Sequence, residues 1–210
     1  MKMFWFCLLA GAFPGWSETR GATFAPITLY VQFEQAAPPG VLTAIQSELR
    51  QIMEPIGLHF EWRELAKAGH EVSAELAVIS FKGRCDTAGV APHSKFEGAL
   101  GWTHISDGQI LPFTDVSCDR VRDFAQAGLL AFRQEDREER YGQALARVLA
   151  HELYHIFANT MRHGSMGVAK EAYSVQDLLT DDFQFRDKEL RLLQTTRPKM
   201  HPAEGAAGSM

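Results

Sequence analysis

The chain has 210 residues, a net charge of −5 and 46% hydrophobic residues. This length suits a single domain, and the composition is that of an ordinary globular protein, which excludes collagen-like, coiled-coil and disordered chains. The sequence has no run of five or more lysines and arginines, and its slightly acidic balance argues against a nucleic-acid-binding protein. Composition therefore predicts a globular class and no function.

The amino terminus has the pattern of a secretory signal peptide. Lys2 precedes an apolar run over residues 3–13, which Pro14 closes. Such a run is shorter than the roughly twenty apolar residues of a membrane anchor, but it suits the apolar core of a signal. We predict a signal peptide over residues 1–17, cut after Ser17, and hence a secreted or periplasmic protein with no membrane attachment after cleavage. The alternative is a buried first segment of a cytosolic protein.

Loss of that segment changes the cysteine count. Cys7 leaves with the signal, so Cys85 and Cys118 remain. Two cysteines in an exported chain predict one disulfide. Two separate buried thiols, or one reactive thiol, are the alternatives.

The rest of the chain divides into strand-like segments followed by helical ones. Alternating or continuous apolar residues predict strands at 27–34, 58–62, 76–81, 99–105 and 109–116. Helical spacing of apolar residues predicts helices at 41–53, 121–133, 141–159, 174–179 and 185–195. One strand, one helix, several strands and then helices predict one α+β domain over residues 18–196, with helices on one face of a mixed twisted sheet and a small carboxyl-terminal helical part. Residues 197–210 are predicted to be a flexible tail.

Turn and capping signals separate these segments. Asp107-Gly108 between two strand-like runs predicts a hairpin, and Ser174 is placed to cap a short helix. The charged residues 134–140 are predicted to form an exposed link, after a helix that Gly128 interrupts.

Outward-facing positions are predicted on the long helix at Gln143, Arg147 and Tyr154. Aromatic residues of strand-like runs are expected in the core: Trp62, Phe81, Trp102 and Phe113.

The longest helical segment carries the chemistry. Residues 151–155 read His-Glu-Leu-Tyr-His. At about 100° per residue, His151 and His155 lie about 40° apart and one turn apart along the helix, so both imidazoles can reach one zinc ion. Glu152 is then placed to act as general base on a zinc-activated water. Two unpaired histidines beside an apolar stripe are costly unless something binds them, which favours a zinc site over a chance match.

A catalytic zinc site of this kind has a third protein ligand and one open position. His163 is the first candidate, because Asn159 is placed to end the helix in a left-handed turn that lets the chain double back. Carboxylates further along the chain are the alternatives: Glu171, Asp177, Asp181 and Asp182.

The motif His151-Glu152-x-x-His155, followed by a histidine after a turn, resembles that of the zincin metallopeptidases, and specifically their metzincin branch. The order of strands and helices over residues 27–170 resembles the metzincin catalytic core as well. The stretch HELYHIFANTMRHGSMGVAK is similar to small exported bacterial zincin-like proteins, which supports His163 as a ligand.

The chain also departs from the metzincin pattern H-E-x-x-H-x-x-G-x-x-H. Ala158 and Met161 stand where the pattern has its glycine and third histidine, so His163 comes two residues late. Met166 follows His163 too closely to form the methionine floor found under the metal in that family. Met166 is therefore expected to be a core methionine.

The resemblance implies a secreted zinc metallopeptidase that hydrolyses a peptide or protein substrate, with Glu152 as general base and Zn²⁺ held by the three histidines. It implies further that residues 99–104 or 109–116 pair with an extended peptide along the cleft. Tyr173 and His104 are candidates to stabilise the oxyanion, although packing or surface hydrogen bonding is the simpler expectation for both. The alternatives are a non-catalytic peptide-binding protein of the same fold and a zinc amidase acting on cell-wall peptides.

Overall fold

The computed structural model describes residues 26–70, 73–90, 98–180 and 183–196. The predicted signal peptide over residues 1–17 and the predicted tail over residues 197–210 lie outside these ranges, as do Asp181 and Asp182. Within the described ranges, no helix combines the length and apolar character needed to cross a membrane.

Five strands form one mixed sheet in the described part of the chain. They are β1 (Ile27–Phe33), β2 (Phe60–Glu64), β3 (Leu76–Lys82), β4 (Gly101–Ser106) and β5 (Gln109–Ser117). Their order across the sheet is β2-β1-β3-β5-β4, and β4 runs antiparallel to β5 while the other neighbours are parallel. Of the two segments predicted to pair with a peptide, β4 is an edge strand and β5 is interior.

Five α-helices complete the described structure. They are α1 (Pro39–Met53), α2 (Cys118–Leu129), α3 (Gln134–Phe157), α4 (Val175–Leu179) and α5 (Asp187–Thr196). Proline suits the first turn of α1 because its ring fixes a helical φ where an amide donor is not needed. The succession of elements and the mixed sheet confirm the predicted α+β class.

The hydrophobic core includes residues of the sheet and of helices α1 and α3. Ala77, Ile79 and Phe81 alternate along β3 and are fully buried. They belong to the same cluster of buried side chains as Ile45 on α1 and Leu145 on α3. A period of two on the strand and of about 3.6 on the helices gives each element one apolar side, and these sides form the core.

Helix α3 is longer than its apolar spacing predicts. Residues 134–140, predicted as an exposed link, form its first two turns. Glu135 and Asp136 lie in the first turn, where carboxylates interact favourably with the helix dipole. Gly128 likewise lies inside α2 instead of interrupting it, and a side chain at this position would collide with Leu179 of α4.

Two residues predicted on the outward face of α3 are buried. Arg147 is 3% exposed, and its Nε lies 2.7 Å from Oε1 of Glu48 on α1. Tyr154 is also 3% exposed, and its ring packs near that of Phe185. The prediction was wrong because α1 and the carboxyl-terminal segments cover this side of α3. The periodicity of α3 alone contains no signal for either.

The four aromatic residues predicted in the core divide into two groups. Phe81 is fully buried and Trp62 packs partly buried against the core cluster. Trp102 and Phe113, on the β4–β5 hairpin, are 38% and 44% exposed. Side chains alternate along a strand, so Trp102 faces away from α3 when its neighbour Thr103 faces α3.

The local turn signals are confirmed. Asp107 and Gly108 have φ values of 50° and 76° between β4 and β5, as a tight hairpin turn requires. Ser174 accepts a hydrogen bond from the amide of Asp177, and the Asp177 carboxylate accepts one from the amide of Ser174. This reciprocal capping box begins α4.

The predicted disulfide between Cys85 and Cys118 is present. It joins the segment after β3 to the first residue of α2, and both cysteines are buried. The hydroxyl of Tyr141 on α3 donates to the carbonyl oxygen of Cys118 at 2.8 Å. The disulfide is therefore integrated into the core beside α3.

Candidate metal centre

Three histidine side chains converge at the carboxyl-terminal end of α3. The ring centres of His151 and His155 lie 4.6 Å apart, and that of His163 lies 5.2 Å and 4.9 Å from them. One ligand atom from each residue lies within 4.8 Å of the other two. In the described ranges, this is the one group of three or more histidine, cysteine or acidic residues that could hold a metal ion.

The end of α3 turns the chain back so that His163 can join the cluster. Asn159 has a left-handed φ of 45°, as predicted. The amide of Thr160 donates to the carbonyl oxygen of His155 at 3.1 Å, and the amide of Asn159 donates to that of Ile156 at 3.2 Å. These two bonds form the helix-ending motif that normally has glycine at its left-handed residue, and asparagine is one of the side chains that tolerate this backbone.

Both helix histidines are oriented through Nδ1. Nδ1 of His151 lies 2.8 Å from the carbonyl oxygen of Val168, and Nδ1 of His155 lies 2.7 Å from that of Thr160. A carbonyl oxygen only accepts, so each Nδ1 carries the proton and each Nε2 keeps its lone pair. Metal-binding histidines are commonly held in this way.

The two Nε2 atoms provide a test of whether the donors fit a metal ion. They face each other at 3.0 Å. With both protons on Nδ1, two lone pairs point into the same space, and a cation placed there would be attracted to both. The arrangement of these donors therefore fits a metal ion.

Burial favours the neutral form of both helix histidines. The pKa of His151 is lowered to about 4, chiefly by burial and further by His155 and His163, against the raising effect of the Val168 carbonyl. Burial likewise lowers the pKa of His155, although the Thr160 carbonyl opposes it. The neutral imidazole is the form that binds a metal ion.

Glu152 lies beside the cluster and is held from the sheet. The hydroxyl of Thr103 on β4 lies 2.8 Å from Oε2 of Glu152 and 3.1 Å from its carbonyl oxygen. Burial raises the pKa of Glu152 to about 7, although the hydrogen bonds from Thr103 lower it. A carboxyl group with a pKa near neutrality can both accept and release a proton, as a general base must.

The histidines and Glu152 line a cavity of about 390 Å³. Its remaining wall is mainly apolar and comes from the segment around β4, from α2, from α3 and from the residues after α3. The apolar contributors include Leu100, Phe124, Val148, Met161 and Tyr173. A concave, largely apolar site with a few converging polar groups is typical of a substrate-binding cavity.

Of the alternative third ligands, Glu171 and Asp177 are among the described residues, and neither belongs to the histidine cluster. The Asp177 carboxylate accepts hydrogen bonds from Ser174 in the capping box and from Nζ of Lys170 at 2.6 Å. Glu171 lines the cavity, but it is not part of the histidine cluster. His163 is therefore the candidate that the fold brings to the helix histidines.

Neither proposed oxyanion-stabilising residue has a free polar group directed at the cluster. The hydroxyl of Tyr173 lines the cavity, but it donates to the carbonyl of Val168 and lies 3.0 Å from Nδ1 of His151, on the side away from Nε2. His104 lies outside the cavity lining, with Nε2 2.8 Å from Oδ2 of Asp115. Hydrogen bonding was the simpler expectation for both.

The prediction that Met166 is a core methionine was wrong, because its side chain is 58% exposed.

Sequence reasoning missed Thr103. A threonine in a β-strand is unremarkable by itself, since threonine favours strands. The importance of Thr103 becomes visible only with the register of β4 against β5, in which Thr103 pairs with Thr114. Thr103 then faces α3, the helix that carries Glu152. Its contact with Glu152 follows from tertiary structure alone.

Together, the fold and the cluster define an α+β protein with a three-histidine site that could hold a metal ion, next to a buried glutamate. No protein-family model and no curated protein matches the sequence. The chain is similar to the crystal structure of archaemetzincin from Methanopyrus kandleri, with 13% sequence identity, 84% of this chain and 97% of that chain covered, and a TM-score of 0.49. At this level of similarity, neither the family nor the function of this chain follows from the comparison.

Proposed function

We propose that this chain is a zinc-dependent metallopeptidase that hydrolyses peptide bonds outside the cytosol. One observation carries the proposal: Nε2 of His151 and Nε2 of His155 face each other at 3.0 Å with both Nδ1 protons engaged elsewhere. His163 completes the donor set, and Glu152 lies beside it.

Zinc is the metal that suits these donors best in a hydrolase. Catalytic zinc sites have three protein ligands and an open position, and imidazole nitrogen is a preferred ligand. His151, His155 and His163 would hold the ion. When bound, zinc supplies Lewis acidity toward water and toward the carbonyl of the substrate.

Glu152 is the residue of this chain that would move the proton. Its carboxylate accepts a proton from the attacking water and delivers it to the amine that leaves when the peptide bond breaks. The carboxyl group is buried in the cavity wall and held by Thr103. Both conditions favour a fixed position relative to the substrate.

The edge strand β4 is the proposed docking strand for an extended peptide. It ends the order of strands across the described sheet and lines the cavity through Gly101, Trp102 and Thr103. Main-chain hydrogen bonds to such a strand give affinity with little sequence selectivity. Apolar side chains in the adjacent wall, including Leu100, Phe124 and Val148, favour an apolar substrate residue there.

The proposed location outside the cytosol has two supports. The amino-terminal sequence has the signal-peptide pattern, and the described structure contains a buried disulfide. Structural disulfides persist in oxidising compartments and are rare in the cytosol. Detection of the mature protein, beginning after Ser17, in the periplasm or medium would test this part.

The decisive experiment combines metal analysis with a peptide-cleavage screen. Purified wild-type protein is expected to bind one zinc per chain and to cleave members of a peptide library, detected by mass spectrometry. Glu152→Gln is the matched control, since it keeps the shape of the side chain but removes the base: it should retain zinc and lose cleavage. A protein that binds no zinc, or cleavage unchanged in Glu152→Gln, would overturn the proposal.

A further inference from the structure

We infer that Thr103 is the positioning residue for the proposed base: its hydroxyl holds Oε2 of Glu152 and so fixes the carboxylate at the cavity wall. This inference rests on the proposed peptidase function.

The contact is short and buried, and the same hydroxyl also lies 3.1 Å from the main-chain carbonyl oxygen of Glu152. Oγ1 of Thr103 lies 2.8 Å from Oε2 of Glu152, and the two residues are 9% and 6% exposed. No other described residue forms a hydrogen bond to this carboxylate. Oε2 is thus engaged by the Thr103 hydroxyl, and the backbone of Thr103 also hydrogen-bonds to this carboxyl group, which lines the cavity.

Strand and helix approach each other closely at this point. A Cβ atom at Gly101 would lie 3.1 Å from Cγ of Glu152 and 3.0 Å from Cγ1 of Val148. Glycine therefore leaves the space in which the Glu152 side chain passes along β4. Strand β4 therefore provides the space for the Glu152 side chain at Gly101 and the hydrogen bond to its carboxylate at Thr103.

Holding one oxygen matters because a glutamate side chain has several rotatable bonds. An unanchored carboxylate would spend time in positions from which it cannot reach the attacking water, and small displacements of a catalytic group are costly. A hydrogen bond from Thr103 to Oε2 restricts the rotamers.

Thr114 provides a matched control for a merely structural threonine. It is the cross-strand partner of Thr103, it is 1% exposed, and its hydroxyl donates to the carbonyl oxygen of Trp102 at 3.1 Å. Thr103→Val and Thr114→Val remove the same atom from neighbouring sites of the same strand pair. Only Thr103→Val removes a partner of Glu152.

Kinetics test the positioning role. Thr103→Val should lower kcat by about tenfold or more with KM and zinc content near wild type, because the lost interaction orients a reacting group. Thr103→Ser should restore most of kcat, and Thr114→Val should leave kcat unchanged. An unchanged kcat in Thr103→Val, or failure of Thr103→Ser to restore it, overturns the inference.

A second measurement does not depend on catalysis. In a thermal double-mutant cycle, Thr103→Val should lower the Tm by about 3 °C or more in the wild-type background and by less than half as much in the Glu152→Ala background. Equal shifts in both backgrounds overturn the inference about Thr103 and leave the peptidase proposal intact. If the Tm shifts differ between the two backgrounds but the protein cleaves no peptide, the contact between Thr103 and Glu152 is established. The peptidase proposal is then overturned, and the role of Thr103 in catalysis with it.

Discussion

Thr160 and His155 form two hydrogen bonds with each other. The amide of Thr160 donates to the carbonyl oxygen of His155 at 3.1 Å, and Nδ1 of His155 donates to the carbonyl oxygen of Thr160 at 2.7 Å. The first bond ends the helix and the second orients the imidazole. The left-handed backbone of Asn159, between them in sequence, makes both possible.

Substitution of Asn159 should therefore affect stability and metal binding together. Asn159→Ala places a less tolerant residue at a φ of 45°, so we expect a loss of about 1 kcal/mol in the free energy of unfolding. We expect zinc affinity to fall by about tenfold, because the Thr160 carbonyl moves relative to His155. Chelator competition and chemical unfolding measure the two effects. Asn159→Gly should retain zinc affinity, and equal affinity in the alanine variant would contradict this account of the turn.

Metal removal should lower the thermal stability of the wild-type protein. A ligand that binds only the folded state at about 100 times its Kd contributes about 2.7 kcal/mol, which corresponds to a rise in Tm of about 5–10 °C for a chain of this size. Differential scanning fluorimetry with chelator and with added zinc measures the shift. His163→Ala should show a much smaller response, whereas His59→Ala, outside the cluster, should respond like wild type. A full response in His163→Ala would remove His163 from the ligand set.

The buried ion pair between Arg147 and Glu48 gives a third prediction. Their side chains are 4% and 8% exposed, with Nε of Arg147 2.7 Å from Oε1 of Glu48. Arg147→Met should cost about 3–5 kcal/mol in the free energy of unfolding, because it leaves a buried carboxylate without its partner. The double variant Arg147→Met with Glu48→Leu should recover most of that loss. Denaturant titrations measure both, and a double variant no more stable than the single one would contradict the explanation.

The capping box of α4 predicts a pH dependence of stability. Burial tends to raise the pKa of Asp177, but hydrogen bonds from Lys170 and Ser174 outweigh it, so the pKa lies below its ordinary value. A carboxyl group whose pKa is lower in the folded state stabilises the protein above its unfolded-state pKa of about 3.9, and this contribution is lost as pH falls through the folded-state pKa.

Asp177→Asn should accordingly reduce the Tm near neutral pH and make it less sensitive to pH on the acid side. Thermal unfolding between pH 3 and pH 7 measures this change. Asp107→Asn, an exposed hairpin residue, is the control and should keep the wild-type profile. The same acid-side slope in Asp177→Asn as in wild type would show that other carboxylates dominate.

Features fixed by a few adjacent residues could be predicted from the sequence. The left-handed turn at Asn159, the hairpin at Asp107-Gly108 and the cap at Ser174 each depend on the backbone preferences of the residue concerned. The convergence of His151 and His155 follows from helix geometry alone.

Features that depend on a distant partner could not be predicted. Arg147 and Tyr154 were predicted to face outward because their partners, Glu48 and Phe185, are far away in the sequence. The contact of Thr103 with Glu152 likewise depends on the register of β4 against β5 and on the packing of α3 against the sheet. In each case the missing information was the packing of one element on another.

The two carbonyl oxygens that orient the helix histidines belong to Thr160 and Val168, on either side of His163 in the sequence. The segment between them is thus fastened to α3 at both ends, by the very rings that would bind the metal. A single residue inserted or deleted within it would displace His163 relative to both fastenings. Changes of chain length within this segment are therefore expected to disrupt the site even where the rest of the fold is unaltered.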